Sequence, residues 1–180
     1  MGDPEYQKKF GMKIVETEII NIHGSLLENE EIFEHQQMVV ETDSMPSHEW
    51  VKTRAICWMT AFLHFDKLLQ IPLITIEQST GISYGTIIES FFEVDPSEFP
   101  LIAEIRDHFF DRAAVVQTGG PEYYYSKEWL GIWWPDDEYQ LIRLSVEGKL
   151  DLFYEESERL LKALLNKAKK EAMANLSAAK

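Results

Sequence analysis

Residues 47–72 read SHEWVKTRAICWMTAFLHFDKLLQIP, and the spacing of their apolar side chains decides the fold. Val51, Ala55, Trp58, Phe62, Phe65 and Leu69 recur at intervals of 4, 3, 4, 3 and 4, the period that stacks side chains on one face of an α-helix. Pro46 and Ser47 supply a start signal and Pro72 a stop, because a serine oxygen can cap the first free N–H groups and a proline inside a helix removes a bond. Trp50, Cys57, Ala61 and Leu68 widen the apolar stripe. The spacing therefore predicts one long helix from about Ser47 to Pro72, covered on much of its circumference and central to the core.

On the N-terminal side, Lys13–Asn21 and Gln37–Thr42 alternate partly between apolar and polar residues, as half-buried strands do. The acidic run Leu26–His35 separates them. A two-stranded ribbon is marginal in water and must pack on something. On the C-terminal side, Gly81 reads as a helix break and Ser83 as a cap for a helix toward Phe92. Asp95, Pro96 and Ser97 open another helix whose Leu101, Ile105, Phe109 and Ala113 share a face, and Gly119, Gly120 and Pro121 stop it. An aromatic loop at residues 119–135 follows. Pro135 then opens a helix to about Glu147, and Leu150, Phe153, Leu160, Leu161, Leu164 and Leu165 mark a long final helix. The expectation is a mainly α protein: a lead-in of two strands at residues 1–45, then a helical domain at residues 46–180 with a basic helical tail. No repeat period appears.

Charge and cysteine content exclude several functions. The 180 residues carry 17 basic and 31 acidic side chains, a net −14, and such a surface repels a phosphate backbone. The charge is uneven: from Lys162 onward there are five lysines against the single acid Glu171, leaving 12 basic and 30 acidic groups in residues 1–161. The lysine-rich end reads as a solvated helix terminus, where lysines suit the negative end of the dipole, and the acidic body opposes approach to anionic lipid. The two short helices around Gly81 invite a helix-turn-helix reading, but the second offers Tyr84, Thr86 and Glu89 and no cation to hold phosphates. One cysteine, Cys57, forms no internal disulfide and no cysteine-ligated iron–sulfur cluster. No signal peptide or membrane-spanning stretch is visible, so a reduced cytoplasmic setting is the default.

Each candidate for chemistry has a plainer competitor. His48 with Glu49, and His64 with Asp66, are too close in sequence to converge from one helix face, and His23, His35 and His108 are scattered. Cys57 lies beside the apolar stripe with no basic neighbour to lower its pKa, which describes a buried, inert thiol. Glu28, Glu30, Glu31 and Glu34 lack the aspartates and central glycine of a calcium loop and read as a solvated connection. The segment EYYYSKEWLGIWWPDDE concentrates Tyr123, Tyr124, Tyr125, Trp129, Trp133 and Trp134. Such rings stack on flat ligands, seal a contact between domains, or clamp a loop onto a helical core. Tyr124, Trp129, Trp133 and Trp134 are the candidate ligand or interdomain contacts. Neither a nucleophile–base pair nor a phosphate-cradling loop is present, so no catalytic, cofactor-binding or metal residue is assigned.

Four phrases carry a family resemblance: DPEYQKKFG at residues 3–11, VVETDSMPSHEWVKTRAICWMTAFLHFDKLLQIPL at 39–73, GISY at 81–84 and SKEWLGIWWPDDEYQLIRL at 126–144. Together they resemble the C-terminal portion of cobalamin-dependent radical SAM proteins, over residues 3–165. In that family an upstream domain binds cobalamin, and a partial barrel holds an iron–sulfur cluster through CxxxCxxC to cleave S-adenosylmethionine. This sequence contains neither region. The resemblance implies a non-catalytic accessory domain that supports the barrel and shapes its substrate site, with the radical SAM barrel and the cobalamin domain as partners. The first strands would then have their neighbour in the barrel, and the aromatic loop would face the substrate cavity. The other readings are a stand-alone helical protein-interaction module and a stand-alone metalloenzyme.

Overall fold

The computed structural model describes residues 3–24 and 34–178, with side chains as far as Lys170. Of the acidic connection Leu26–His35, residues 26–33, with Glu28, Glu30 and Glu31, lie outside the described residues. The chain is mainly α with two small antiparallel two-stranded sheets, the first of them near the N-terminus. It divides into two compact units, residues 1–58 with 108–139 and residues 59–107 with 140–180, so the boundaries fall inside helices.

The first unit opens with the short helix α1 (Pro4–Lys9), capped by the Asp3 carboxylate, which accepts the Glu5 N–H at 2.9 Å. Strands β1 (Lys13–Glu18) and β2 (His35–Glu41) pair antiparallel, with Ile14 opposite Val39 and Glu18 opposite His35. The ribbon meets its need for packing locally. Thr17 is buried and its hydroxyl donates to the Gly120 carbonyl at 3.3 Å. Gly119 has a φ of 88°, and a Cβ there would stand 2.9 Å from the Glu16 carbonyl, so only glycine fits this approach. Helix α2 (Ser47–Thr60) sends the Trp50 indole N–H to the Val39 carbonyl at 3.0 Å, and Gln117 donates to the Ser47 carbonyl at 2.6 Å. Ala55, Trp58, Phe109, Ala113 and Val116 form the buried interior, with the Trp58 and Phe109 rings 6.2 Å apart.

The long helix expected to reach Pro72 ends earlier. After Thr60 the chain makes one π turn, Ala61–Phe65, in which the Asp66 N–H reaches back five residues to the Ala61 carbonyl at 2.9 Å. Lys67 then adopts a left-handed φ of 66°, and helix α3 (Gln70–Thr80) begins with Pro72 in its first turn. Proline costs no bond there, because first-turn N–H groups have no partner within the helix. The extra residue in the π turn shifts the buried face: Phe65, expected in the core, is 69% exposed, while Leu68 and Leu69 are buried. Cys57, expected to be buried, is exposed. It sits about 100° around the helix from Trp58 and so falls off the buried face.

The second unit keeps most of the expected punctuation. Gly81 ends α3 at a φ of 72°, and Ser83 caps α4 (Tyr84–Ser90) by accepting the Thr86 N–H at 3.1 Å. The segment at Asp95 is a turn rather than a helix: its carboxylate holds the Ser97 N–H at 2.8 Å, and α5 (Pro100–Gln117) starts at Pro100. A more distant side chain caps that start. Glu156, on the final helix α7 (Leu150–Ala178), is buried and accepts the Leu101 N–H at 3.1 Å and the Ile102 N–H at 3.0 Å. Phe62, Leu63, Ile87, Phe91, Ile105 and Phe153 are fully buried here, with the Phe62 and Phe153 rings edge to face at 5.3 Å.

Glu156→Gln keeps one acceptor but loses the charge, and Glu156→Ala leaves buried N–H groups without a partner. Chemical denaturation is expected to show a loss of roughly 1 kcal/mol for the first and about 2–3 kcal/mol for the second.

Candidate functional site

The aromatic loop expected between residues 119 and 135 is a hairpin. Strand β3 (Tyr124–Ser126) pairs antiparallel with β4 (Ile132–Trp134), and residues opposite one another share a face of the ribbon. Tyr124 pairs with Trp134 on one face and Tyr125 with Trp133 on the other. The Tyr125 and Trp133 rings lie 5.3 Å apart. The four candidate residues therefore do not form one surface, since Trp133 projects opposite Tyr124 and Trp134. The free edge of β4 is also occupied: His23 N–H donates to the Trp133 carbonyl at 2.8 Å and Trp133 N–H to the Gly24 carbonyl at 3.0 Å. At the tip, the buried Ser126 hydroxyl accepts the Trp129 N–H at 3.2 Å, and the Trp129 carbonyl accepts the Trp134 indole N–H at 3.3 Å.

What holds the hairpin is a carboxylate with no distinguishing motif around it in the sequence. Asp136, the first residue of helix α6 (Asp136–Val146), has no exposed surface. Its Oδ1 accepts from Arg112 Nε at 3.0 Å and from His108 Nε2 at 3.1 Å. Both donors stand on α5, one helical turn apart. The same Arg112 guanidinium donates to the Pro121 carbonyl at 2.9 Å and the Tyr123 carbonyl at 3.1 Å, so one side chain fixes both the entrance to the hairpin and the helix that leaves it. Three aromatic contacts close around this pair. Tyr139 stacks on His108 with ring centroids 5.5 Å apart, Tyr124 lies 4.1 Å from Tyr139, and Trp129 lies 4.8 Å from Tyr139. The Arg112 guanidinium is 5.6 Å from the Tyr124 ring centre, within cation–π range.

The rest of the α6 start is acidic. Burial pushes the Asp137 carboxyl above its usual range; Glu138 and Asp136 push the same way, and backbone N–H groups oppose them. Glu138 binds His23 Nε2 at 2.8 Å, and the His23 ring meets Trp134 edge-on at 5.1 Å. Elsewhere in this unit, Arg54 bonds Glu122 and stacks over Trp58 at 4.7 Å.

This arrangement grips and positions. Asp136, His108 and Arg112 form a charge cluster in which the imidazole Nε2 faces a carboxylate rather than a hydroxyl or thiol that could serve as a nucleophile. Among the described residues, no three His, Cys, Asp or Glu side chains converge to hold a metal. With Cys57 the one thiol in the sequence, a three-cysteine iron–sulfur site does not fit this chain. The other histidine cluster stands in the second unit, where His64 bonds the Tyr84 hydroxyl and faces Gln70, and burial and Glu77 raise the Tyr84 pKa. His48 pairs with the exposed Glu49 beside it, at 3.6 Å. One signal for the clamp was present in the sequence, the i, i+4 spacing of His108 and Arg112 on a helix; nothing local tied them to Asp136. No protein-family model matches the chain, and no curated protein matches it significantly.

Two measurements probe the clamp. Arg112→Met strands the buried Asp136 charge and is expected to cost about 3–5 kcal/mol; Arg112→Met combined with Asp136→Leu removes both charges and should recover much of that loss in denaturant titrations. For Asp137, the folded pKa lies above the unfolded one, so its ionisation opposes folding and stability falls as pH rises from the usual carboxylate range through the raised value. Asp137→Asn should therefore raise Tm at neutral pH, with an advantage that shrinks on acidification; a pH-independent difference contradicts the assignment.

Proposed function

We propose that the chain is a non-catalytic accessory module of a cobalamin-dependent radical SAM enzyme, bracing the barrel and shaping its substrate site through the aromatic hairpin. The reading rests on the resemblance across residues 3–165 and on one observation at the hairpin tip. Leu130 is 82% exposed and has a left-handed φ of 64°, a conformation that costs an L-residue about 1–2 kcal/mol. The turn at Trp129 and the Asp136–Arg112 clamp support that strain, so a large apolar side chain points outward from a braced scaffold. Strained backbone clusters at functional sites, and an outward apolar side chain there is available for contact with a partner.

On this reading the iron–sulfur cluster, S-adenosylmethionine and cobalamin belong to the barrel and the cobalamin domain, which are the partners. The acidic surface argues against nucleic acid, and a single free surface thiol suits a reducing cytoplasm. No described helix is long and apolar enough to cross a membrane. The alternative reading, a stand-alone helical interaction module, uses the same tip for an unrelated partner.

The test is titration of the chain with a reconstituted radical SAM barrel and cobalamin domain from the same genome, followed by tryptophan fluorescence. Saturable binding is expected, weakened roughly tenfold or more by Leu130→Asp, a substitution at a solvent-exposed position. Trp133→Ala should weaken binding too if both faces of the hairpin are engaged. Absence of binding by the unaltered chain overturns the reading, and so does binding that ignores Leu130→Asp.

A further inference from the structure

An apolar groove of about 330 Å3 lies in the second unit, lined by Leu69 and Pro72 at the start of α3 and by Tyr154, Leu161 and Leu165 of α7, with Glu158 and Lys162 completing its wall. The surface beside it is unusually apolar for exposed protein. Ile71, next to Pro72, is 75% exposed, and Tyr154 is 42% exposed. On α7 the groove residues Tyr154, Glu158, Leu161 and Leu165 fall on a single stripe at intervals of 4, 3 and 4, the spacing of a helix–helix seam; Ala168 continues that spacing along the sequence and Lys162 flanks it.

The charge on α7 says what covers this stripe. Its exposed acids, Asp151, Glu155 and Glu158, come first along the helix and its exposed lysines, Lys162, Lys167, Lys169 and Lys170, follow; the exposed Arg159 between them is turned to the Glu98 carbonyl at 3.2 Å and lies over the Phe99 ring at 5.3 Å. Lys162 and Glu158 pair at 2.7 Å within the chain. In a parallel pair of such helices, like charges face each other. In an antiparallel pair, the acidic stretch 151–158 of each helix lies beside the lysine-rich stretch 162–170 of its partner, and the two contacts are identical by symmetry. We infer that the groove and the α7 stripe form a two-fold interface with a second copy of this chain, in which the α7 helices run antiparallel and Ile71 of each copy contributes to the apolar centre. The net charge of −14 opposes association at long range. Salt screens that repulsion over about 8 Å at physiological ionic strength, so pairing across the seam decides the outcome.

Sedimentation equilibrium of the full chain at physiological ionic strength tests the interface. The unaltered chain is expected to show a concentration-dependent dimer. Ile71→Asp, and separately the reversal Lys167→Glu with Lys169→Glu, should each weaken the dimer about tenfold or more without changing the circular dichroism spectrum. Mixing the lysine-reversed chain with a chain carrying Asp151→Lys and Glu155→Lys should restore association as a heterodimer, a result that misfolding cannot imitate. The inference is overturned by a monomer at every concentration, by a dimer indifferent to these substitutions, or by failure of the two reversed chains to pair. A monomer that instead takes up an apolar dye saturably would make the groove a small-molecule site and equally overturn it.

Discussion

A carboxylate removed from water must find donors, and in the first unit that requirement organises everything around the hairpin. Asp136 has no exposed surface, and Arg112 supplies both its counter-charge and the hydrogen bonds that hold the Pro121 and Tyr123 carbonyls. A buried ion pair adds little net stability over a well-packed apolar pair. What it adds is position: a planar guanidinium with donors in fixed directions aligns two carbonyls and a carboxylate at once. The hairpin tip, with its outward leucine and half-buried tryptophans, inherits that alignment.

The second unit meets a comparable demand at the start of α5. Helices leave their first N–H groups without internal partners, and Pro100, with no N–H of its own, leaves Leu101 and Ile102 to be satisfied. Glu156 reaches them from α7 with both carboxylate oxygens, its negative charge set against the positive end of the helix dipole. The usual arrangement caps a helix with a residue just before it, and Asp95 stands in the right neighbourhood to be mistaken for that cap. It closes a preceding turn instead, and the long-range carboxylate takes the role while tying α5 to α7.

Much of the fold was legible because its signals are local. The period of Val51, Ala55, Trp58 and Phe62 announced a core helix, Gly81 and Ser83 marked a stop and a start, and Gly119 and Pro135 bracketed the aromatic segment. Phe65 and Cys57 were misplaced because helical periodicity presumes an unbroken α-helical turn and a stripe of fixed width. A π turn at Ala61–Phe65 breaks the first condition, and the exposed Cys57 edge breaks the second. The aromatic cluster was visible as composition. Its division into two faces was not, because pairing register depends on a turn whose closure uses the Ser126 hydroxyl and the Trp129 carbonyl.

The sequence by itself determined the fold class, the placement of most helices, the acidic body and the lysine-rich end of α7, since propensity, spacing and charge are properties of neighbouring residues. Only the tertiary structure decided that Asp136 would meet an arginine 24 residues away, that Glu156 would cap a helix 55 residues upstream, and which aromatic rings share a face. The reason is physical: a buried charge or an unpaired N–H demands a partner, but it places no restriction on where in the chain that partner lies.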